Sequence, residues 1–377
     1  MLGKLTPERV IYITWLSVML TCCWPLPPSA TKFQVIRYKI ARMGSIFSAV
    51  LLFFPLLYSI YLHNHETVVV VKTICLMLAV FQVIAQTLFC YTQYNRFQRL
   101  IEEMKMFCKE ARQEERDILQ EYIDKCGIFY GGCILWFYTS ACVVVLGTLL
   151  ISQPFPTDAE YPFSVDYPPL KFIVFLHQSF VGIQCAAHVC INCIGALLLW
   201  FSAARYKILM QELQTATNLS KLIKCVHKHQ HVKRYAIEVT LAVRFITLIT
   251  IAMSATVVIL CAIIVISVIQ FSLLSAAGLL EVFMCAWPAD HLMNIVSSFS
   301  SVVRIICFHN FVDVTQGAYE SPWYMQTVDM QKYVLYFLMP QKPVTVSVGC
   351  LMPTLSLTYY CSCLLRGSID YYSIFRQ

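Results

Sequence analysis

A chain of 377 residues that is 58% hydrophobic and only 13% charged, with mean hydropathy +0.65, is excluded from the soluble class, where about a quarter of residues are charged. Its length has room for about seven apolar stretches of ~20 residues, each enough to cross a bilayer. The net charge of +7 is read as loop charge, and no basic patch is interleaved with aromatics, so no nucleic-acid partner is expected.

Residues 10–24 form a short apolar run after Lys4 and Arg9, ended by Trp24-Pro25-Leu26-Pro27-Pro28. The run is short for a span and has a poor cleavage pattern, so a re-entrant or interfacial helix is expected rather than a removed signal. The first span is placed at 42–62, with Pro55 as a tolerated kink, and the second at 67–91 after the tight His63-Asn64-His65-Glu66 connection. Residues 92–125 alternate charges (Glu102, Glu103, Lys105, Lys109, Glu110, Arg112) as a solvated helix does. A third span is expected at 126–152, followed by a loop rich in proline and aromatics from Pro154 to Pro169. The fourth is expected at 171–201, with a basic helical segment running on to about 240. The apolar run 241–287 is too long for one crossing, and is split into spans at 241–269 and 272–289, the second with an extension beyond the membrane. The seventh, 344–377, carries Thr354, Thr358, Ser362, Arg366, Asp370, Ser373 and Gln377 three or four residues apart, on one stripe. Polar groups at membrane depth are expensive unless they face protein or water. One helix cannot enclose water, so a wet stripe needs copies from neighbouring subunits. The whole chain, 1–377, is thus read as a single all-α domain of seven spans.

Orientation follows from lysine and arginine. The segments expected on one side hold 23 of these residues and those on the other hold one, Lys171. This places the N-terminus in the cytoplasm and, after seven spans, the C-terminus outside, inverted relative to a G-protein-coupled receptor. Most of the 18 cysteines lie in apolar or cytosol-facing stretches and none in an expected outer loop, so they are read as small buried apolar residues, not as a disulfide framework.

No nucleophile elbow, phosphate loop or two-histidine zinc motif occurs, so neither an enzyme nor a cofactor is expected. Cys185, His188, Asn192 and Cys193 share a helix face but are too few to hold a metal without partners from elsewhere. Glu281, inside the sixth span, is a functional candidate because an intramembrane carboxylate is costly; a hydrogen-bonded packing role is the alternative. The outer halves of the middle spans carry sparse aromatic and polar residues, among them Phe81, Trp136, Tyr138, Ser140, Phe172, Phe175, Gln178 and Ser179. Walls of this kind suit a small apolar ligand, and equally suit ordinary helix packing.

Three stretches carry a resemblance. Ala318-Tyr319-Glu320-Ser321-Pro322-Trp323-Tyr324, Leu338-Met339-Pro340-Gln341-Lys342-Pro343-Val344 and Asp370-Tyr371-Tyr372-Ser373-Ile374-Phe375-Arg376-Gln377 together resemble the C-terminal signature of the insect odorant receptor family. Leu280-Glu281-Val282-Phe283, with Trp287 following, resembles that family's sixth helix. The resemblance implies an odorant-gated, non-selective cation channel of four subunits, in which a variable odorant-binding subunit assembles with a shared co-receptor in the plasma membrane of an olfactory neuron dendrite. It implies odorant binding among the outer parts of the second, third, fourth and sixth helices, which adds Phe283 to the wall residues. It also implies a central pore lined by the last helix, with a constriction at Ile374, Gln377 beside it, and Ser373 and Asp370 on the same wall. The short second cytoplasmic loop resembles that of a tuning subunit rather than of the co-receptor. The rival readings are a metabotropic seven-helix chemoreceptor, which orientation separates, and a transporter, for which internal repeats are expected. Two features depart from the family pattern: the link between Asn294 and Val314 is long, and Arg366 fits a cation-pore wall badly.

Overall fold

The computed structural model describes residues 5–150, 154–215, 219–263, 269–311, 344–349, 352, 354–359, 361 and 362. Nine α-helices are found among them: α1 Pro7–Ser17, α2 Lys32–Leu62, α3 Thr67–Thr92, α4 Tyr94–Glu110, α5 Gln113–Leu150, α6 Pro168–Val189, α7 Ile191–Gln214, α8 Leu219–Ile263 and α9 Ile269–Phe311.

The outer surface identifies the solvent. On α2, Phe33, Ile36, Ile40, Met43, Phe47, Leu51 and Phe54 recur at helical spacing, and all of them are exposed. Comparable exposed residues are Ile128, Leu135 and Val143 on α5 and Phe172, Ile173, Leu176 and Phe180 on α6. Continuous apolar stripes of this extent are hydrocarbon-facing surface, not scattered exposed side chains. Five helical stretches among the described residues are long and apolar enough to cross a membrane.

The helix bounds differ from the expected spans where charge and cap chemistry act. A capping box, in which Thr31 and Gln34 each receive the other's backbone N–H, starts α2 about ten residues before its apolar stretch. The charged run after α3 is divided: α4 ends at Glu110, and α5 continues from Gln113 unbroken into the third apolar stretch. α4 buries Phe97, Leu100, Ile101, Met104 and Cys108, an i, i+3, i+4, i+7 pattern that explains why it lies against the bundle. The fourth apolar stretch is interrupted at Cys190, between α6 and α7.

α7 is the hub, packed against α8, α9 and α5. Sixteen of its 24 residues are buried, including Leu198, Ala203, Ala204 and Tyr206. Small residues let its neighbours approach closely, as is usual where lipid supplies no hydrophobic drive between helices. Gly195 of α7 lies so near α8 that a Cβ there would meet Val243 Cγ1 at 3.2 Å. Gly278 of α9 faces α8 in the same way, 3.3 Å from Val258 Cγ2 and 3.4 Å from the Ser254 carbonyl oxygen.

The N-terminal segment is fastened at the charged end of the bundle. Thr6 caps α1, and after a single 3-10 turn at Met19–Thr21 the chain reverses through Cys22 at φ 51. Arg42 of α2 donates to the Cys22 carbonyl at 3.0 Å, with its guanidinium over the rings of Tyr38, Tyr91 and Tyr94 at 5.2, 5.5 and 5.4 Å. Tyr38 O–H donates to the Trp24 carbonyl, and Gln98 of α4 donates to the Leu26 carbonyl at 2.7 Å.

The described residues 344–349, 352, 354 and 355 contribute an antiparallel pairing rather than the start of a helix. Val348 N–H donates to Met352 O at 2.8 Å and Leu355 N–H to Val346 O at 2.9 Å, around Gly349 at φ +49. Glycine suits that left-handed position because it lacks a Cβ. Val344, Val346, Met352 and Leu355 are buried, and Asp290 of α9 accepts the Leu357 N–H at 3.1 Å. Asp370, Ser373, Ile374 and Gln377, with Arg366, lie outside the described residues.

Replacing Gly278 by valine is expected to wedge α9 from α8 against a backbone that cannot yield, with an overpacking cost of about 1–3 kcal/mol. Melting of the detergent-solubilised receptor, followed by fluorescence size-exclusion, should fall by several degrees. Gly131→Ala, where nothing lies within 4 Å of the added methyl, should leave it unchanged.

Candidate functional site

α3, α7, α8 and α9 meet around one carboxylate. Glu281 of α9 is buried at 6% exposure. Its Oε1 accepts from Gln82 Nε2 of α3 at 2.5 Å and from Asn192 Nδ2 of α7 at 3.1 Å, and its Oε2 accepts from Ser254 Oγ of α8 at 2.9 Å. One turn along, Gln86 Nε2 donates to Thr250 Oγ1 at 3.1 Å, and Thr250 donates to Asn192 Oδ1 at 3.0 Å. The spacing explains the assembly: Gln82 and Gln86 are four apart on α3, as are Thr250 and Ser254 on α8, so each pair shares a face. Burying an ion in a low-dielectric interior costs several kcal/mol even after relaxation. Hydrogen bonds to a charged group return about 1.5–3 kcal/mol each. Three such bonds offset much of that cost, and removal of any one leaves a buried polar atom unsatisfied.

A second polar tier lies beside it. His188 of α7's preceding helix α6 makes contacts at 2.7 Å with Thr87 Oγ1 and at 2.9 Å with the Gln184 carbonyl. Gln184 in turn donates to Ser45 of α2, at 3.0 Å to O and 2.5 Å to Oγ. Of the four residues considered for a metal, Asn192 is therefore part of the Glu281 cluster and His188 is bonded to Thr87 and Gln184, while Cys185 and Cys193 pack among apolar residues.

The expected wall residues separate into three groups. Gln178 and Ser179 are buried, and Gln178 holds the loop that joins α5 to α6: its Oε1 accepts from Thr157 N at 3.1 Å and Thr157 Oγ1 at 2.9 Å, and its Nε2 donates to Tyr161 OH at 3.2 Å. Burial holds the Tyr161 phenol above its usual range, so it stays protonated at neutral pH. The same loop accepts Ser59 Oγ at the Asp158 carbonyl, at 2.6 Å. Tyr138 O–H donates to the Ser17 carbonyl at 2.5 Å, which fastens the end of α1 to α5. Phe283 stacks on Trp287 at 5.7 Å and meets Phe129 edge-on at 5.4 Å. Phe175 is half-buried, and Phe81, Trp136, Ser140 and Phe172 lie on the exposed outer surface.

A cavity of about 150 Å³ lies elsewhere, bounded by Val10, Ile11 and Thr14 of α1, Tyr122, Cys126 and Tyr130 of α5, and Ala196 and Trp200 of α7. Its lining is almost wholly apolar, and none of the nine expected wall residues takes part.

The sequence singled out Glu281 and, for another role, Asn192, but not the remaining partners. Gln82, Thr250 and Ser254 are ordinary polar residues within apolar helices, and the signal that could have found them is their four-residue spacing on two spans.

An all-helical bundle with an apolar outer belt and a buried polar centre defines a multi-pass membrane protein. The profile of the 7tm Odorant receptor family matches residues 66–365, and the chain belongs to that family of olfactory receptors. The structure of the insect olfactory receptor OR5 from Machilis hrabei superposes with a TM-score of 0.73 at 12% identity, covering 98% of each chain. The structure of that receptor in complex with eugenol gives 0.73 at 13% identity, again over 98% of each. At such identity the likeness establishes the shared fold and transfers no residue's role. No curated protein matches the chain in sequence.

Gln178→Leu is expected to release the loop at residues 154–167, because about 1–3 kcal/mol follows each buried polar group left unmade. Limited proteolysis of the solubilised receptor should cleave this loop at least several-fold faster than in wild type. Ser179→Ala, whose hydroxyl only returns to the Phe175 carbonyl of its own helix at 2.7 Å, should not accelerate it.

Proposed function

We propose that this olfactory receptor is the odorant-binding subunit of a heteromeric, ligand-gated, non-selective cation channel, assembled with a shared co-receptor in the plasma membrane. Family membership carries the reading. The asymmetry of 23 lysines and arginines against one supports a cytoplasmic N-terminus, the opposite of a G-protein-coupled receptor. The fold is that of a receptor solved with an odorant, eugenol, and a small volatile ligand is the proposed class here.

The proposed ligand region is the outer half of the bundle, with Tyr138, Phe175, Gln178, Ser179 and Phe283 on its inner side and Phe81, Trp136, Ser140 and Phe172 on the outward faces of the same helices. Its aromatic walls supply apolar contact, and Gln178 and Ser179 supply the few polar groups that orient a ligand. Binding opens the channel only if the ligand prefers the open arrangement; a full reversal from mostly closed to mostly open needs roughly a 10⁴-fold preference. The last helix supplies one wall of the pore, with the constriction at Ile374 and Gln377.

In cells co-expressing receptor and co-receptor, Phe175→Ala is expected to raise the half-maximal concentration of an activating odorant about tenfold or more, as losing one large apolar wall commonly does. Ile374→Glu should instead shift the reversal potential under bi-ionic conditions and leave the odorant's half-maximal concentration nearly constant. Unaltered reversal potential at normal surface expression would reject the pore assignment.

A further inference from the structure

The cluster around Glu281 has more order than packing requires. Gln86 donates to Thr250, Thr250 to Asn192, and Asn192 to Glu281, while Gln82 and Ser254 donate to the same carboxylate. Every hydrogen of the chain points toward one group. The Gln82 and Asn192 amides donate to Oε1, whereas the Ser254 hydroxyl at Oε2 is able to give or to take a hydrogen. All six residues are at most 7% exposed. Among the described residues, no lysine, arginine or histidine is bonded to the cluster; His188, the nearest basic group in sequence, is held by Thr87 and Gln184. When ionised, Glu281 therefore stands without a protein cation, within the apolar belt.

Gln86 is the second and independent observation. Its side chain is fully buried, its Nε2 is part of the cluster, and its Oε1 has no hydrogen-bond partner. A buried carbonyl oxygen with both lone pairs unused, on an amide bonded to Thr250 and one helical turn along α3 from Gln82, which donates to Glu281, is available as a ligand atom.

We propose that the four-helix junction is a binding site for a monovalent cation, sodium. The Glu281 carboxylate supplies the charge, and Gln86 Oε1, Thr250 Oγ1, Ser254 Oγ and Asn192 Oδ1 are the neutral oxygens available to it. The ligand set selects the ion class. All the donors are hard oxygens, so copper and zinc, which favour imidazole and thiolate, are poorly served. A single carboxylate balances a single positive charge, whereas a divalent ion would leave an excess charge buried. Because its donors come from α3, α7, α8 and α9, an ion held there stabilises only the arrangement of the four helices that brings them together. The site does not depend on which odorant, if any, the receptor detects.

The test is thermal unfolding of the full-length receptor purified in detergent, titrated with sodium chloride against N-methyl-D-glucamine chloride at constant ionic strength, with uptake of radioactive sodium measured beside it. Wild type should show a saturable rise of several degrees and saturable uptake. Glu281→Gln and Ser254→Ala should need about tenfold more sodium or more, the size of change that losing one group around a metal commonly causes. Gln86→Leu, which removes the unpaired oxygen at nearly constant volume along with the Nε2 bond to Thr250, whose hydroxyl keeps its bond to Asn192, is the variant that separates the two roles. It should melt no lower than wild type in N-methyl-D-glucamine, yet lose most of the sodium increment. An increment equal in Gln86→Leu and wild type overturns the proposal. So does equal stabilisation by sodium, potassium and N-methyl-D-glucamine, which is an ionic-strength effect. A rise produced by acid alone, without sodium uptake, also overturns it, because a proton would then be what neutralises Glu281.

Discussion

Hydrocarbon satisfies no polar group, and this constraint governs how the receptor's centre is built. A buried carboxylate on α9 has to bring its hydrogen-bond donors with it, and it takes one from each of three other helices. The consequence is geometric as well as energetic. Apolar packing tolerates a sliding register, but a carboxylate with fixed amide partners does not, so Glu281 sets the relative height of α3, α7, α8 and α9. The small residues beside it work in the same direction. Gly278, three residues before Glu281, lets α9 lie against the Ser254 backbone, and so brings the Ser254 hydroxyl within reach of the carboxylate.

The two ends of the bundle are held by different means. At the charged end, ion pairs such as Arg205–Glu103 at 2.5 Å and Lys207–Glu121 at 2.6 Å link α7 to α4 and α5. Pairs with this much exposure contribute about 0–1 kcal/mol each. The stronger hold there is buried: Arg42 among three tyrosine rings, and the apolar face of α4. At the opposite end the ion pair Lys72–Asp158, at 2.8 Å, is half exposed. The loop is instead kept in place by Gln178, which spends both ends of its amide on it. An amide placed for hydrogen bonding to a ligand and an amide that clamps a loop are the same residue here, so loop position and ligand chemistry are not independent at Gln178.

How much of this was legible in the sequence depends on range. Apolar blocks and charge bias are local, and they gave the all-helical membrane class; the first two apolar blocks fall within α2 Lys32–Leu62 and α3 Thr67–Thr92. Helix ends were read less well, because hydropathy does not register a capping box: Thr31 and Gln34 start α2 in a stretch that is not especially apolar. The break at Cys190 leaves no trace in composition, since α6 and α7 are both apolar. The pairing of Val348 with Met352 has its local signal in Gly349, whose left-handed backbone hydropathy does not register. The cluster was the least legible. Gln82 and Glu281 are 199 positions apart, and only the packed bundle makes them neighbours.

Position on a helix links this centre to the surface where a ligand is proposed to act. Phe81 and Gln82 are adjacent on α3, yet one is exposed and the other buried against Glu281. Phe283 stands two residues beyond Glu281 on α9, in the ring stack with Phe129 and Trp287. Helices move as rigid rods over such short spans, so displacement of either aromatic along its helix axis carries a member of the cluster with it. The cluster resists with hydrogen bonds to charge that are worth about 1.5–3 kcal/mol each, and small shifts are therefore opposed while a discrete rearrangement is not. A carboxylate that is costly to bury is a poor device for stability alone. Held by donors from three other helices, it turns a smooth packing surface into one with defined alternatives, as a receptor with two states requires.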